Sequence, residues 1–333
     1  MKNKTILVTG GAGYIGSHML QELRKQGCSI IAFDNLSRGH RDAVGDSILI
    51  HDDLLSPNAI DACFEKYNID LVIHFAAFAY VGESVDCPEI YYRNNINGTL
   101  NLLSSMLKHK VDKIVFSSSC AIYGEPDMVP ITEDHPKKPI NPYGHSKLII
   151  EEILLNYAKA YGLQSISLRY FNVAGCDSTG VLGERHNPET HLIPLVLSEA
   201  LALKNNEFIG KSNLNVFGNS FPTQDGSCIR DYIHVEDLCN AHLLATKRLF
   251  QEKAIGAEYY NLSNGVGFSV FEIINSCKKV TKQNIQFNIL PPRKGDPAIL
   301  IGDAKLANKI LGWAPKYTSI DKIVETAWMW MTK

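Results

Sequence analysis

The stretch Thr5-Ile6-Leu7-Val8-Thr9, running directly into Gly10-Gly11-Ala12-Gly13-Tyr14-Ile15-Gly16, constrains this chain more than any other part of it. The first five residues are apolar-rich and partly β-branched and read as a strand, whereas residues 14–26 have helical spacing. Glycines between a strand and a helix permit a tight turn and let backbone N–H groups approach a pyrophosphate, to which the helix N-terminus adds partial positive charge. Two fingerprints overlap: Gly11/Gly13/Gly16 fits G-x-G-x-x-G, and Gly10/Gly13/Gly16 fits G-x-x-G-x-x-G. Asp34 ends the next strand, where a carboxylate accepts hydrogen bonds from an adenosine ribose and repels a 2′-phosphate, favouring NAD over NADP. Asp53, after the third strand, is a candidate adenine contact.

The surrounding pattern agrees. Residues 29–33, 47–50, 71–75 and 113–117 read as strands, and 58–67 and 88–108 as helices between them. This order predicts an α/β fold, a doubly wound parallel sheet of Rossmann type. A further helix over 143–161 starts where Asn141 can cap and Pro142 suits the first helical position; a strand over 165–169 follows. After Phe171 the texture changes to loops around a helix at 193–204. The division expected is a dinucleotide-binding domain over 1–171, with 231–262 returning to it, and a smaller mixed α/β domain over 172–333. Trp328 and Trp330 read as helix packing.

The 333 residues are 45% hydrophobic and 20% charged, an ordinary globular composition, and the net charge of −2 gives no general attraction to nucleic acid or anionic membrane. No apolar run approaches the roughly 18 residues of a membrane span, and the N-terminal residues show no signal-peptide pattern. The eight cysteines include no C-x-x-C pair or adjacent histidine cluster. Free thiols in a reducing cytoplasm and no metal site are therefore expected.

Tyr143 and Lys147, spaced i and i+4, project from one face of their helix. A tyrosine near pKa 10 is a poor base at neutral pH unless a nearby ammonium and the positive charge of an oxidised nicotinamide lower it. Ser117-Ser118-Ser119 ends the strand upstream, at the carboxyl edge where such sheets gather catalytic groups. Ser119 can hydrogen-bond a reacting hydroxyl.

With these residues the chain resembles the extended short-chain dehydrogenase/reductases and, within them, the UDP-glucose 4-epimerase family over essentially its whole length. The similarity is carried by the glycine stretch, Phe75-Ala76-Ala77, Val81-Gly82-Glu83-Ser84, Asn94-Asn95-Ile96-Asn97-Gly98-Thr99, the segment from Ser117 to Gly124, Pro142-Tyr143-Gly144-His145-Ser146-Lys147 and Leu168-Arg169-Tyr170-Phe171-Asn172. The segment from Gly226 to Val235 and Arg293-Lys294-Gly295-Asp296 continue it. The resemblance implies reversible C4 epimerisation of a UDP-hexose through a transient 4-keto sugar, with NAD held as a prosthetic group. It implies Tyr143, Lys147 and Ser119 as catalytic. On the cofactor side it implies Gly10, Gly13, Tyr14, Ile15, Gly16, Asp34, Asn35, Asp53, Leu54, Phe75, Ala76, Asn94 and Tyr170. Around the UDP-sugar it implies Asn172, His191, Leu192, Phe217, Arg230, Tyr232, Arg293, Asp296 and Leu300, with the two arginines anchoring the diphosphate. A homodimer packed through helices 90–107 and 143–161 is also implied.

Three positions depart from the pattern. Ala79 stands where many relatives have a cofactor-contacting lysine, His191 where some have asparagine, and Leu300 where relatives differ between a bulky tyrosine and a small residue. Two neighbouring activities share the chemistry, namely 4-epimerisation of UDP-arabinose/UDP-xylose and of UDP-N-acetylhexosamines. A 4,6-dehydratase needs a carboxylate beside the strand-end hydroxyl, and Cys120 and Ala121 follow Ser119 instead. A nonenzymatic NAD-sensing module has no use for Tyr143, Lys147 and Ser119 together.

Overall fold

The computed structural model describes residues 1–207, 212–293 and 296–333; Lys294 and Gly295, in the predicted arginine-containing motif, lie outside the described residues. The N-terminal part alternates β1 (Thr5–Thr9), α1 (Tyr14–Lys25), β2 (Ser29–Asp34), β3 (Ile48–His51), α2 (Pro57–Lys66), β4 (Leu71–His74), α3 (Val81–Asp86) and α4 (Pro88–Tyr91). A π-helical turn, Tyr92–Asn97, leads into α5 (Gly98–Lys108), so the helix expected over 88–108 carries an extra residue per turn in its middle. Next come β5 (Lys113–Ser117), α6 (Pro142–Tyr161) and β6 (Gln164–Tyr170).

The remainder comprises β7 (Asn172–Ala174), α7 (Leu192–Lys204), β8 (Asn215–Phe217), β9 (Ile229–His234), α8 (Val235–Gln251), β10 (Ala257–Leu262), β11 (Gly267–Ser269), α9 (Val270–Thr281), β12 (Asn288–Leu290), β13 (Ile299–Leu300), α10 (Lys305–Leu311) and α11 (Ile320–Met331). The short strands β7 and β8 sit where the sequence showed only loops, because three residues are too few for a periodic signal.

The main sheet is parallel throughout, in the order β10-β6-β5-β4-β1-β2-β3. Its strands are apolar on both faces because helices cover both. Ile6 and Val8 of β1 face a core shared with Met19, Leu20 and Leu23 of α1 and with Leu238 of α8. Leu7, between them, faces the opposite core with Leu102 and Met106 of α5 and Ile150 and Leu154 of α6. The order reverses at β1, between β2 and β4, and opens a crevice at the carboxyl ends of the strands.

In the smaller C-terminal part β9 pairs with β7, β11 and β13, and β8 pairs with β12, over a core of α7, α9 and α11. Within the 231–262 stretch, β9 belongs to this smaller sheet, whereas β10 joins the large one and α8 packs on α1.

Candidate active site

A cavity of about 1040 Å³ runs from the glycine turn to the smaller sheet. Every residue expected at the cofactor, the reacting sugar or the diphosphate lines it.

At the glycine end the chain fits a dinucleotide. Gly10 has φ +70°, and a Cβ there would lie 2.6 Å from the amide nitrogen of Ala76; one on Gly16 would lie 2.1 Å from the Gly10 carbonyl oxygen. No side chain caps α1, so its first N–H groups stay available to an anion. Asp34 is buried and accepts from the backbone N–H of Ala12 at 2.9 Å and of Leu36 at 2.8 Å. Burial raises its pKa, and those two hydrogen bonds oppose the rise. Asn35 donates to Asp53 at 2.8 Å, fixing both at the cavity edge beside Leu54. The Tyr14 hydroxyl donates across the crevice to the Gly175 carbonyl at 2.6 Å, and Phe75 packs on His242 with ring centroids 4.7 Å apart. Asn94, on the π-helical turn, donates to Asn95, which in turn bonds both backbone groups of Phe78 and the Ser146 hydroxyl.

Ala79 brings no cation to this wall. Arg38 does: its guanidinium lies 5.4 Å from the Phe78 ring centroid and 4.7 Å from that of Tyr80, and it pairs with Glu83 at 2.6 Å. Sequence reasoning missed Arg38 because the stacking is made between segments far apart in the chain.

In the middle of the cavity stand the three residues expected to react. Ser119 caps the short 3-10 turn Cys120–Ile122, its hydroxyl accepting from the Ala121 N–H at 3.1 Å. Asn141 caps α6 by accepting from the Gly144 N–H at 2.8 Å, which places Tyr143 on the first turn, 8% exposed. Lys147, one turn on, is buried and donates to the Ser117 carbonyl at 2.8 Å, with its ammonium 4.9 Å from the Phe116 ring centroid and 5.8 Å from that of Tyr143. The Ser117 hydroxyl meets that of Tyr170 at 2.6 Å.

Burial governs the electrostatics of both titratable groups. Burial drives the Tyr143 phenol up to about 12, with only the Ser119 hydroxyl pulling the other way. Burial likewise lowers Lys147 to about 7, opposed by the Glu151 carboxylate. The ammonium alone therefore does not make Tyr143 a base, because burial penalises the charged forms of both groups.

At the far end, β9 carries Arg230, which pairs with Asp296 and donates to its neighbour's Ile229 carbonyl at 2.8 Å. The Arg293 guanidinium stacks 4.0 Å from the Phe217 ring centroid. Leu300 lies beside Arg230 in the β9–β13 ladder, and Asn172 pairs with Tyr232 between β7 and β9. Leu192 opens α7 directly after His191. His191 lines the same wall, but its Nδ1 faces Glu184 and Glu189. Against burial, which lowers it, their hydrogen bonds push His191 up to about 10. Glu184 and His186, unmarked in the sequence reading, line the wall beside it.

A glycine turn under a switch point, a Tyr-x-x-x-Lys pair beside a strand-end serine and an arginine-bearing far wall together describe a dinucleotide enzyme acting on an anionic substrate. The comparisons with known proteins agree. Residues 6–262 match the model of the NAD dependent epimerase/dehydratase family. The UDP-glucose 4-epimerase of Halalkalibacterium halodurans is 51% identical over 325 residues, covering 98% of this chain and 95% of that protein. Among solved structures, UDP-glucose 4-epimerase from Brucella ovis in complex with NAD superposes with a TM-score of 0.91 at 45% identity, covering 98% of this chain and 97% of that one. The Bifidobacterium longum enzyme in complex with NAD+ and UDP gives 0.91 at 37% identity over 99% and 98% of the two chains. On these grounds the chain belongs to the NAD dependent epimerase/dehydratase family.

Proposed function

We propose that this protein interconverts UDP-glucose and UDP-galactose by inverting C4 of the hexose through a transient 4-keto sugar, with NAD as a tightly held cofactor. The observation that carries the reading is the placement of Tyr143, Lys147 and Ser119 between a dinucleotide cradle and two arginines in one continuous cavity. Bound in that cradle, NAD⁺ supplies a reversible hydride acceptor and a positive ring beside Tyr143.

The chain's own residues do the rest. Gly10, Gly13, Gly16 and the uncapped start of α1 hold the pyrophosphate, Arg38 serves the wall where Ala79 leaves no charge, and Asp34 takes the adenosine ribose. Tyr143 removes the proton from the sugar O4 and returns it after the sugar has turned; Ser119 orients that hydroxyl. Lys147 holds the nicotinamide ribose and stabilises the phenolate whenever it carries its proton. Arg230 and Arg293 grip the diphosphate, a task suited to planar forks, while the sugar rotates. Asn172, Leu192, Phe217, Tyr232, Asp296 and Leu300 shape the pocket. His191 joins them only through its second ring nitrogen, since Nδ1 is committed. Ser119 is followed by Cys120 and Ala121, so no acid stands next to it for elimination.

The eight free cysteines support a cytoplasmic setting. Among the described residues no helix is long and apolar enough to cross a membrane. A homodimer would cover Ile90 and its neighbours on the face presented by α4, α5 and α6; Ile90 is exposed in the single chain.

The test is incubation of purified protein, without added cofactor, with UDP-glucose, UDP-galactose, the UDP-pentoses and the UDP-N-acetylhexosamines, followed by separation of the C4 epimers. Interconversion of the two hexoses supports the reading, and action confined to the pentoses overturns it.

A further inference from the structure

The loop between β7 and α7 brings four side chains to one point. Glu184, His186, Glu189 and His191 each offer a ligand atom, and these atoms all lie within 4.8 Å of one another. Nδ1 of His186 is 3.2 Å from Oε1 of Glu184 and 3.4 Å from Oε2 of Glu189. Nδ1 of His191 is 3.0 Å from that same Glu184 oxygen and 2.8 Å from Oε1 of Glu189.

Hydrogen bonding accounts for the contact of His191 Nδ1 with Oε1 of Glu189 at 2.8 Å but leaves part of the cluster unexplained. Nδ1 of His186 is buried and makes no aligned hydrogen bond. A single N–H on His191 faces two carboxylates, and the Glu184 side chain, 7% exposed, converges on both rings. Glu189 is fixed in place by the backbone N–H groups of Thr190 and His191. Two anionic oxygens and two imidazole nitrogens aimed at one point are the donor set of a divalent cation. Zinc bonds of about 2.0–2.2 Å to nitrogen and oxygen set a tetrahedral ligand–ligand edge of about 3.3 Å. With Oε1 of each carboxylate as the ligand atom, three of the separations above, 2.8, 3.0 and 3.2 Å, lie close to that edge, and His186 reaches the other Glu189 oxygen at 3.4 Å.

We propose that Glu184, His186, Glu189 and His191 bind a divalent transition-metal ion, with zinc the best match to two imidazoles and two carboxylates. Four protein ligands close the coordination shell, so the ion is structural. Its place explains what it would do. Trp330 of α11 donates to the Glu184 carbonyl at 3.2 Å, Arg185 pairs with Asp42 at 2.8 Å, and His191 is the residue from which α7 starts. A metal there locks a loop that ties the dinucleotide part, α7 and α11 together along the cavity wall. Cysteine spacing gave no sign of it because the ligands are histidine and glutamate, held in the pattern E-x-H-x-x-E-x-H. The site stands independently of the epimerase assignment.

Protein carrying its bound dinucleotide is treated with a chelator, dialysed, and titrated with Zn²⁺ alone, with bound metal counted after gel filtration; a parallel sample receives Co²⁺ for visible spectroscopy. The result expected is one zinc per chain, a melting temperature that rises with zinc and falls again with chelator, and the intense absorption of tetrahedral cobalt. Glu184→Gln and the double variant His186→Asn/His191→Asn lose the retained zinc. The proposal is overturned if the unaltered protein retains no zinc, as two protonated histidines paired with carboxylates would require. It is equally overturned if the folded variants retain as much zinc, or if bound cobalt gives the weak octahedral spectrum. Should the variants fail to fold, stoichiometry and the cobalt spectrum of the unaltered protein decide.

Discussion

A Cβ on Gly144 would stand 2.4 Å from the carbonyl oxygen of Ala121. That approach is what lets the first turn of α6, with Tyr143, rest on the turn that carries Ser119. The clashing atom is backbone, so a methyl group there must push the helix start away rather than displace a flexible side chain. Gly144→Ala is expected to cost about 1–3 kcal/mol of stability, as overpacking usually does. It should also cut kcat at least about tenfold by separating the two hydroxyls, since misplacement of that order has large kinetic effects. Thermal melts and steady-state kinetics check both numbers; an active, fully stable variant would show that the contact yields.

Tyr143→Phe removes the proton-transferring atom and leaves the ring in its buried seat. Removal of a positioned general base costs about 10²–10⁴-fold in rate, and kcat for the hexose reaction should fall by that much with the melting temperature almost unchanged. A rate near that of the unaltered protein would assign the base elsewhere.

The large sheet was legible before the structure because each strand is a short buried run closed by a helix signal, and parallel sheets covered on both faces leave few alternatives. The placement of Ser119, Tyr143 and Lys147 along one cavity was legible for the same reason: they sit at a strand end and a helix start, where local pattern is strongest. Arg38 and the loop cluster around Glu184 were not. Arg38 takes its place by stacking on Phe78 and Tyr80 across the crevice, and Glu184 by meeting two histidines in a loop without periodicity. The depth at which Tyr143 and Lys147 are buried was not legible either, because sequence shows a neighbouring lysine but not how thoroughly both groups are removed from water.

Acid should destabilise the protein through its buried neutral histidines, His74 and His242 among them. Burial lowers His74 to about 3, with the Lys147 charge adding to the effect, and lowers His242 to about 4 against its hydrogen bond to the Leu238 carbonyl. Both folded values lie below the unfolded value of about 6.5. Below pH 6.5 the unfolded chain takes up protons that the native state refuses. The stabilisation is therefore complete above pH 6.5 and lost as pH falls toward 4 and then 3, by about 1.5–2 kcal/mol for each group at pH 5. Nδ1 of His242 meets the Leu238 carbonyl at 2.9 Å while Nε2 has no partner, so His242→Phe should flatten the acid slope by about one proton. Urea midpoints measured from pH 7.5 to 5 in both proteins decide it.

Arg230→Ala should act mainly on KM. Charge-assisted hydrogen bonds to a diphosphate are worth about 1.5–3 kcal/mol, which corresponds to roughly 10- to 150-fold in affinity. Arg230→Lys restores the charge but not the planar fork, so its KM should fall between the other two. Equal KM values for all three proteins would remove Arg230 from the anchor.

Behind the proposed catalytic residues lies a buried ion pair whose loss should be felt in both stability and chemistry. Arg169 donates to Glu151 in a fork, from Nε at 2.9 Å and from an η nitrogen at 2.7 Å, and the Ser118 hydroxyl adds a bond to the same carboxylate at 2.7 Å. Both charged side chains are almost wholly shut off from water, at 1% and 3% exposure. Glu151 is one helical turn beyond Lys147 and supplies the charge that opposes the lysine's loss of its proton. Glu151→Ala would leave a buried guanidinium unpaired at a cost of about 3–5 kcal/mol, the usual penalty for breaking such a pair from one side. It would also lower the Lys147 pKa further, so that less of the enzyme carries the ammonium at neutral pH. Replacement by glutamine keeps hydrogen bonds to Arg169 but not the charge, and separates the two effects. Glu151→Gln should recover part of the stability while activity stays low and the acidic limb of its kcat profile gains relative to neutral pH, because lower pH returns the proton to Lys147. If the glutamine variant matched the unaltered protein in kcat from pH 6 to 9, Glu151 would serve the fold alone.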